Sequence, residues 1–160
     1  MRLNHLLTFS FMAYFFTVFS SDGSALIQDT PILRALADIE SGNNPKAIGK
    51  YGEVSAYQIL PSLWRSEDLF PAAKEYYRHP NAAAIVAQSI LTKIFNHWNY
   101  NVDPEKRKLQ PRDLYVIWHR GWKYYKHDHF LNFELLPKKV KDRALRYERV
   151  YYMYLNKTTK

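Results

Sequence analysis

The 160-residue sequence contains no cysteine. Neither a disulfide framework nor a lipidated cysteine is therefore available, so the fold must be stabilised by packing. Zinc sites that use cysteine ligands are excluded as well, and the spacing of His119, His127 and His129 matches no closed zinc pattern. We expect no metal and no other cofactor.

The sequence also lacks an apolar run long enough to span a bilayer. Its longest such run, residues 6–19, is about 14 residues long, whereas a spanning helix needs about 20. It follows Arg2 and precedes a small, polar segment, which is typical of a secretory signal peptide. We predict a signal peptide over residues 1–25, cleaved near Ala25, and export to the periplasm, cell envelope or extracellular space. Cleavage after Ser20 and an uncleaved anchor are the alternatives.

Negative charge is scarce, with 15 Asp and Glu against 23 Lys and Arg and a formal net charge of +8. Removal of the predicted signal peptide takes away Arg2 and Asp22 together, so the balance is unchanged. Such a charge attracts polyanions. Outside the cytoplasm we expect these to be a cell-wall polymer or an anionic envelope surface, not nucleic acid. We expect a monomer.

Residues 26–160 have the length of one domain, and no internal repeat divides them. Thr30 as cap, Pro31 at the first position and Gly42 as stop predict a first helix. Apolar spacing and prolines predict the further helices, which begin at residues 61, 81, 111 and 138. Residues 54–60 are predicted as a short strand or hairpin. The predicted class is a mostly α single helical domain with a small β-hairpin.

Glu40 ends the first predicted helix, beside the apolar Leu36 and Ile39. Glycosidic cleavage requires an acid that is still protonated near neutral pH, and apolar surroundings raise a carboxyl pKa in this way. A carboxylate at a helix C-terminus also opposes the helix dipole, a local conflict expected at functional sites. The alternative is an ordinary exposed glutamate at a helix end.

Four segments carry a family resemblance. Residues 39–49, IESGNNPKAIG, and 52–59, GEVSAYQI, resemble the core signature of the lysozyme-like soluble lytic transglycosylase (SLT domain) family. Residues 117–121, IWHRG, are similar to its Ala-Tyr/Trp-Asn-x-Gly segment, and residues 142–146, DRALR, to its Asp-Tyr-Ala-x-Arg helix. The resemblance implies an α+β lysozyme-like fold with the β-hairpin beside the active-site groove.

The same resemblance implies a reaction. Members of the family cleave the β-1,4 bond between N-acetylmuramic acid and N-acetylglucosamine in peptidoglycan with one glutamate, which Glu40 matches. It acts as acid on the glycosidic oxygen and then as base on the muramoyl 6-hydroxyl, which closes a 1,6-anhydro ring without water. The resemblance further implies that Ser41 holds the glutamate region and that Gln58 lines the groove.

The sequence departs from the family at three positions. Ser55 stands where the family has glycine, so the serine is expected to narrow the groove or to adopt an unfavourable backbone geometry. His119 replaces an asparagine and Arg143 a tyrosine. A hydrogen bond from His119 to substrate would substitute for the amide, and its charge near neutral pH would then modulate activity.

Aromatic residues and a basic surface are further candidates. Tyr57, Trp64, Trp118 and Trp122 could stack on sugar faces, whereas the helical period of the tyrosines after residue 138 favours core positions. Five basic residues on that helix form either a solvated face or a contact with anionic wall polymer. They are Lys138, Lys139, Lys141, Arg143 and Arg146.

Glu53 is a possible second carboxylate. Across a groove from Glu40, with room for water, it would favour hydrolysis by a goose-type-like lysozyme. As a solvated or hydrogen-bonding loop residue it would have no such role. A non-catalytic peptidoglycan-binding module is another alternative, motivated by Ser55, His119 and Arg143, and a basic membrane-active protein rests on charge and aromatics alone.

Overall fold

The computed structural model describes residues 30–103, 105–129 and 131–158. The predicted signal peptide lies outside these residues. The described chain is mostly helical, as predicted. Its α-helices are α1 (Pro31–Ser41), α2 (Pro61–Glu67), α3 (Lys74–Arg78), α4 (Pro80–Asn101), α5 (Pro111–Arg120) and α6 (Lys138–Thr158). Over these residues, no helix combines the length and the apolar character that crossing a membrane requires.

Helix α1 begins and ends where the sequence predicts. The Thr30 hydroxyl accepts a hydrogen bond from the Leu33 amide at 3.4 Å, and Pro31 occupies the first turn. At the other end Gly42 adopts a φ of 64°, and its amide and that of Asn43 donate to the last carbonyls of the helix. This left-handed cap fixes Glu40 in the final turn.

Helix α4 is longer than predicted and is capped by a different residue. It begins at Pro80, and the His79 ring nitrogen, not the Asn81 side chain, accepts from the Ala82 amide at 3.4 Å. Proline at the first position needs no amide partner, so the helix starts one residue before the predicted cap. Helix α5 ends at the predicted Gly121. Helix α3 and the turns at Tyr124–Asp128 and Phe133–Leu135 were not predicted.

The core forms where α1 packs against α6, α6 against α5 and α5 against α4. Tyr147 and Tyr151 of α6 are buried, which confirms the predicted core stripe. Trp64 of α2 is fully buried, and its indole N–H donates to the Phe70 carbonyl at 3.2 Å. The largest enclosed side chains also include Trp98, Tyr115, Tyr125, Leu33 and Leu36.

The predicted strand at residues 54–60 is replaced by a tight loop. Isolated antiparallel bridges join Val54 to Ile48 and to Ile59, and the described residues contain no longer strand. Val54 and Ile59 exchange amide–carbonyl hydrogen bonds of 2.8 and 2.9 Å, and residues 55–58 turn the chain between them. Pairing stops there because Ser55 and Gln58 adopt positive φ values, 72° and 51°, which extended strands do not have.

Candidate active site

Three helices meet at the carboxyl group of Glu40. The Tyr115 hydroxyl on α5 donates to Glu40 Oε1 at 2.8 Å, and Arg143 Nη2 on α6 donates to Glu40 Oε2 at 2.9 Å. The Glu40 side chain is only 5 % exposed. The end of α1 therefore presents one enclosed acid to donors from two other helices.

The surroundings of Glu40 raise its pKa above the ordinary value of 4.5. Burial is the largest cause, since it disfavours the charged form. The Arg143 charge and the Tyr115 hydrogen bond act in the opposite direction, and the negative charge of Glu53 adds a smaller increase. Burial and the Glu40 charge raise the pKa of Tyr115 in turn, so its phenol stays a neutral donor.

Ser41 ties the end of α1 to the loop that follows. Its hydroxyl contacts the Ala56 carbonyl at 2.8 Å and the Ala37 carbonyl at 3.3 Å, and it accepts from the Asn44 amide at 3.0 Å. Because Ser41 is adjacent to Glu40, these bonds fix the backbone from which the acid projects. The contacts suit the positioning role that the resemblance implies for this serine.

Glu53 and Gln58 converge on Gly49 in the same loop. A Cβ built on Gly49 would meet Glu53 Oε2 and Gln58 Oε1, so a larger residue there would require these two flexible side chains to shift. The Gln58 amide donates to the Ser55 carbonyl at 3.0 Å, and the Glu53 carboxylate accepts from the Tyr51 amide at 2.9 Å. Glu53 thus forms a hydrogen bond within its own loop, and its negative charge also raises the pKa of Glu40.

His119 stacks on the ring of Tyr115, with centroids 5.8 Å apart and planes 11° from parallel. Although the residue is exposed at the surface, desolvation of its ring and the charges of Arg143 and Arg120 lower the pKa of His119 to about 4. The imidazole is therefore neutral near pH 7. Desolvation and the neighbouring cations thus favour the neutral ring in the absence of substrate, whereas the sequence predicted a charge that changes near neutral pH.

The four aromatic candidates divide by exposure. Trp64 is fully enclosed, so the prediction that it could stack on a sugar was wrong. Tyr57 is 5 % exposed, and burial raises its pKa to about 12. Trp118 and Trp122 are half-buried and keep an accessible part of their rings. Both tryptophans remain candidates for sugar stacking, and Trp118 lies on α5 one residue before His119.

Sequence reasoning missed Tyr115 and the contact that Arg143 makes. Tyr115 precedes His119 by four residues, so the two share a face of α5. This spacing could have indicated that Tyr115 lies beside a predicted site residue. Arg143 was identified as a departure from the family pattern and as part of a basic surface, but not as a partner of Glu40, which its guanidinium binds directly. Both contacts join residues far apart in the chain, which is why local patterns did not reveal them.

The described residues contain no group of three or more His, Asp or Glu side chains that could hold a metal ion. Neither protein-family models, nor curated proteins, nor solved structures match this chain. The case for a function therefore rests on the site itself.

Ser55 gives a test of the local geometry. It is buried at a φ of 72°, where a Cβ costs about 1 kcal/mol, and its hydroxyl accepts from the Tyr57 amide at 3.3 Å. We expect Ser55→Gly to be about 1 kcal/mol more stable than Ser55→Ala in urea denaturation. At Ser66, which lies in a helix, we expect the alanine variant to be more stable than the glycine variant, because alanine is the better helix former. Equal stabilities of the two Ser55 variants would contradict the assigned backbone geometry.

Proposed function

We propose that this protein is an exported, monomeric peptidoglycan lytic transglycosylase with a lysozyme-like fold. The observation that supports this best is the enclosed carboxyl of Glu40, whose pKa is raised and which receives hydrogen bonds from Tyr115 and Arg143. A carboxyl of this kind suits an acid that must donate near neutral pH and accept a proton later. The bridged loop of residues 48–59 would take the place of the family's β-hairpin beside the groove.

The reaction needs only one proton carrier. Protonated Glu40 gives its proton to the glycosidic oxygen as the bond to the muramoyl C1 breaks, which releases the N-acetylglucosamine hydroxyl. The carboxylate then takes the proton of the muramoyl 6-hydroxyl, whose oxygen bonds to C1. No water enters, and Glu40 ends protonated as it began. Between the two steps Tyr115 and Arg143 stabilise the carboxylate by donating to its two oxygens.

The loop and α5 would supply substrate contacts. Gln58 and Glu53 lie together over Gly49, and Ser41 fastens this loop to the end of α1. Trp118 offers a half-buried aromatic face, and neutral His119 offers a hydrogen-bonding ring nitrogen, which suits the place of the family's asparagine. Tyr57 is a further proposed substrate contact, although only 5 % of the residue is exposed.

Glu53 supports a second candidate, a hydrolytic lysozyme. Its charge raises the pKa of both Glu40 and His119, so it is a second carboxylate that acts on the proposed acid. Were it to activate a water, the product would carry a reducing muramic acid end and not an anhydro ring. The hydrogen bond from the Tyr51 amide to Glu53 favours the loop role instead, because it engages one of the carboxylate oxygens.

Release of soluble material from purified peptidoglycan tests whether the protein is an enzyme. We expect the native protein to release muropeptides from washed sacculi at a rate that scales with protein concentration. A binding module would sediment with the sacculi and release nothing. Retained binding without any release, over the pH range in which the protein stays folded, would overturn the proposal.

Arg143 sets the pH range of the proposed reaction. Its charge lowers the pKa of Glu40, so replacement by methionine should raise that pKa further. The first step needs protonated Glu40, and activity is lost as pH rises through this pKa. We therefore expect Arg143→Met to shift the alkaline limb of kcat/KM to higher pH, with Lys123→Met as a charge-matched control that leaves the limb in place. A shift to lower pH, or none, would contradict the assignment.

A further inference from the structure

An open cavity of about 750 Å³ lies between the end of α1 and the first half of α6. Ile39, the residue before Glu40, forms its apolar side. The rest of the lining comes from α6 and consists of four cations and one carboxylate: Lys138, Lys139, Arg143, Arg146 and Asp142. The cavity thus adjoins the proposed acid and is strongly basic.

The cations are arranged on one side of α6. Lys139, Arg143 and Arg146 follow a spacing of four and three residues, which places their side chains along a single helix face. Asp142, the carboxylate of the lining, is bound by Lys138 at 2.6 Å. Lys139 and Arg146 therefore bring positive charge into the cavity that its lining does not balance.

The helix end adds to this field. Lys138 and Lys139 lie in the first turn of α6, where the backbone N–H groups already produce positive potential. Cations there weaken the helix, since anions are the stabilising charges at this end. The first-turn cations and the helix end therefore add to one another, and the positive potential in the cavity favours an anionic ligand.

Arg143 connects the cavity to the acid. It lines the cavity and at the same time donates to Glu40 Oε2 at 2.9 Å. We propose that the cavity between α1 and α6 is a subsite for an anionic oxygen group, a carboxylate or a phosphate, carried by the polymer strand that Glu40 cleaves. The identity of that strand rests on the proposed function; the anion site itself does not. The two sources of the anion are the carboxylates of stem peptides on the glycan and the phosphates of a wall polymer.

Binding of two small probes tests the site directly. We expect inorganic phosphate and an acylated D-alanyl-D-alanine peptide, titrated into the full protein, to shift the amide NMR signals of Ile39 and residues 138–146. A Lys139→Gln, Arg146→Gln double variant should bind both probes at least about tenfold more weakly, because two of the facing charges are gone. Lys123→Gln, which removes an exposed cation outside the cavity, should bind like the native protein.

Unchanged affinity in the double variant, or shifts confined to other residues, would overturn the subsite. Cleavage assays then separate the sources. A preference of the native protein for peptide-bearing over peptide-free strands, lost in the double variant but kept in Lys123→Gln, assigns the site to stem carboxylates. Inhibition by a phosphate polymer, relieved in the double variant, assigns it to phosphate. If no strand is cleaved the proposed function fails, and the NMR titration still decides whether the cavity binds anions.

Discussion

Replacement of Glu40 by glutamine is expected to abolish release of muropeptides from peptidoglycan. General acid catalysis contributes about 10²- to 10⁴-fold, and here one residue would serve as acid and as base, so we expect a loss of at least about 10³-fold. Glutamine keeps the shape of the side chain and an oxygen that can accept from Tyr115. It cannot donate a proton to the glycosidic oxygen. Chromatography of released muropeptides measures the loss, and sedimentation with sacculi measures binding.

Glu53→Gln is the matched control for this variant. Both changes remove one carboxylate from the same region, and Glu53 also lies close enough to influence the pKa of Glu40. In a transglycosylase the Glu53 variant should retain activity within about tenfold, because no second carboxylate takes part in the chemistry. The assignment of Glu40 as the acid would fail if Glu40→Gln released products at the native rate while remaining folded.

Asp113→Ala is expected to cause the largest loss of stability. The Asp113 side chain is 2 % exposed and accepts hydrogen bonds from Arg107 at 2.9 Å and from the hydroxyl of Tyr125. It also accepts from the amide of Gln110, the residue that caps the start of α5. Alanine would leave the Arg107 guanidinium and the Tyr125 hydroxyl without this acceptor. Because the Arg107 side chain is 34 % exposed, water screens part of this loss, and we expect a cost of about 2 to 3 kcal/mol in urea denaturation.

Asp103→Ala provides the comparison. Asp103 pairs with Lys106 at 3.5 Å, but both side chains are exposed, so this change should cost less than about 1 kcal/mol. Because α5 carries Tyr115, the loss of Asp113 should also loosen the contact between Tyr115 and Glu40. Activity should then be lower even at urea concentrations at which the variant is still folded. Equal stability losses in the two variants would show that the Arg107–Asp113–Tyr125 cluster does not hold the start of α5.

Much of the helical frame was predictable because its signals are local. Thr30, Pro31 and Gly42 bound α1 correctly, and the tyrosine spacing of α6 placed Tyr147 and Tyr151 in the core. Glu40 was identified as the candidate acid for the same reason, because adjacent residues show that it lies at the end of a helix. The β-branched and aromatic residues at 54–60 predicted a short strand or hairpin, but only isolated bridges form there, because the positive φ values of Ser55 and Gln58 turn the chain.

The environment of Glu40 was not predictable in the same way. Tyr115 lies 75 residues from Glu40 in the chain and Arg143 lies 103 residues away, and only helix packing brings them to one carboxyl. The pKa of His119 depends likewise on Arg143 from another helix. Trp64 was placed among sugar-stacking candidates because composition does not reveal burial, which tertiary contacts decide.

Glu40 is proposed to cleave the glycan strand without water, and the most direct test asks whether the new chain end contains an oxygen atom from the solvent. Purified peptidoglycan would be digested by the native protein in water labelled with oxygen-18, and the masses of the released muropeptides would be measured by mass spectrometry. A transglycosylase yields anhydro products about 18 Da lighter than reducing muropeptides and free of heavy oxygen. Reducing muropeptides that carry one heavy oxygen would contradict the claim and identify a hydrolase, with Glu53 as the candidate base.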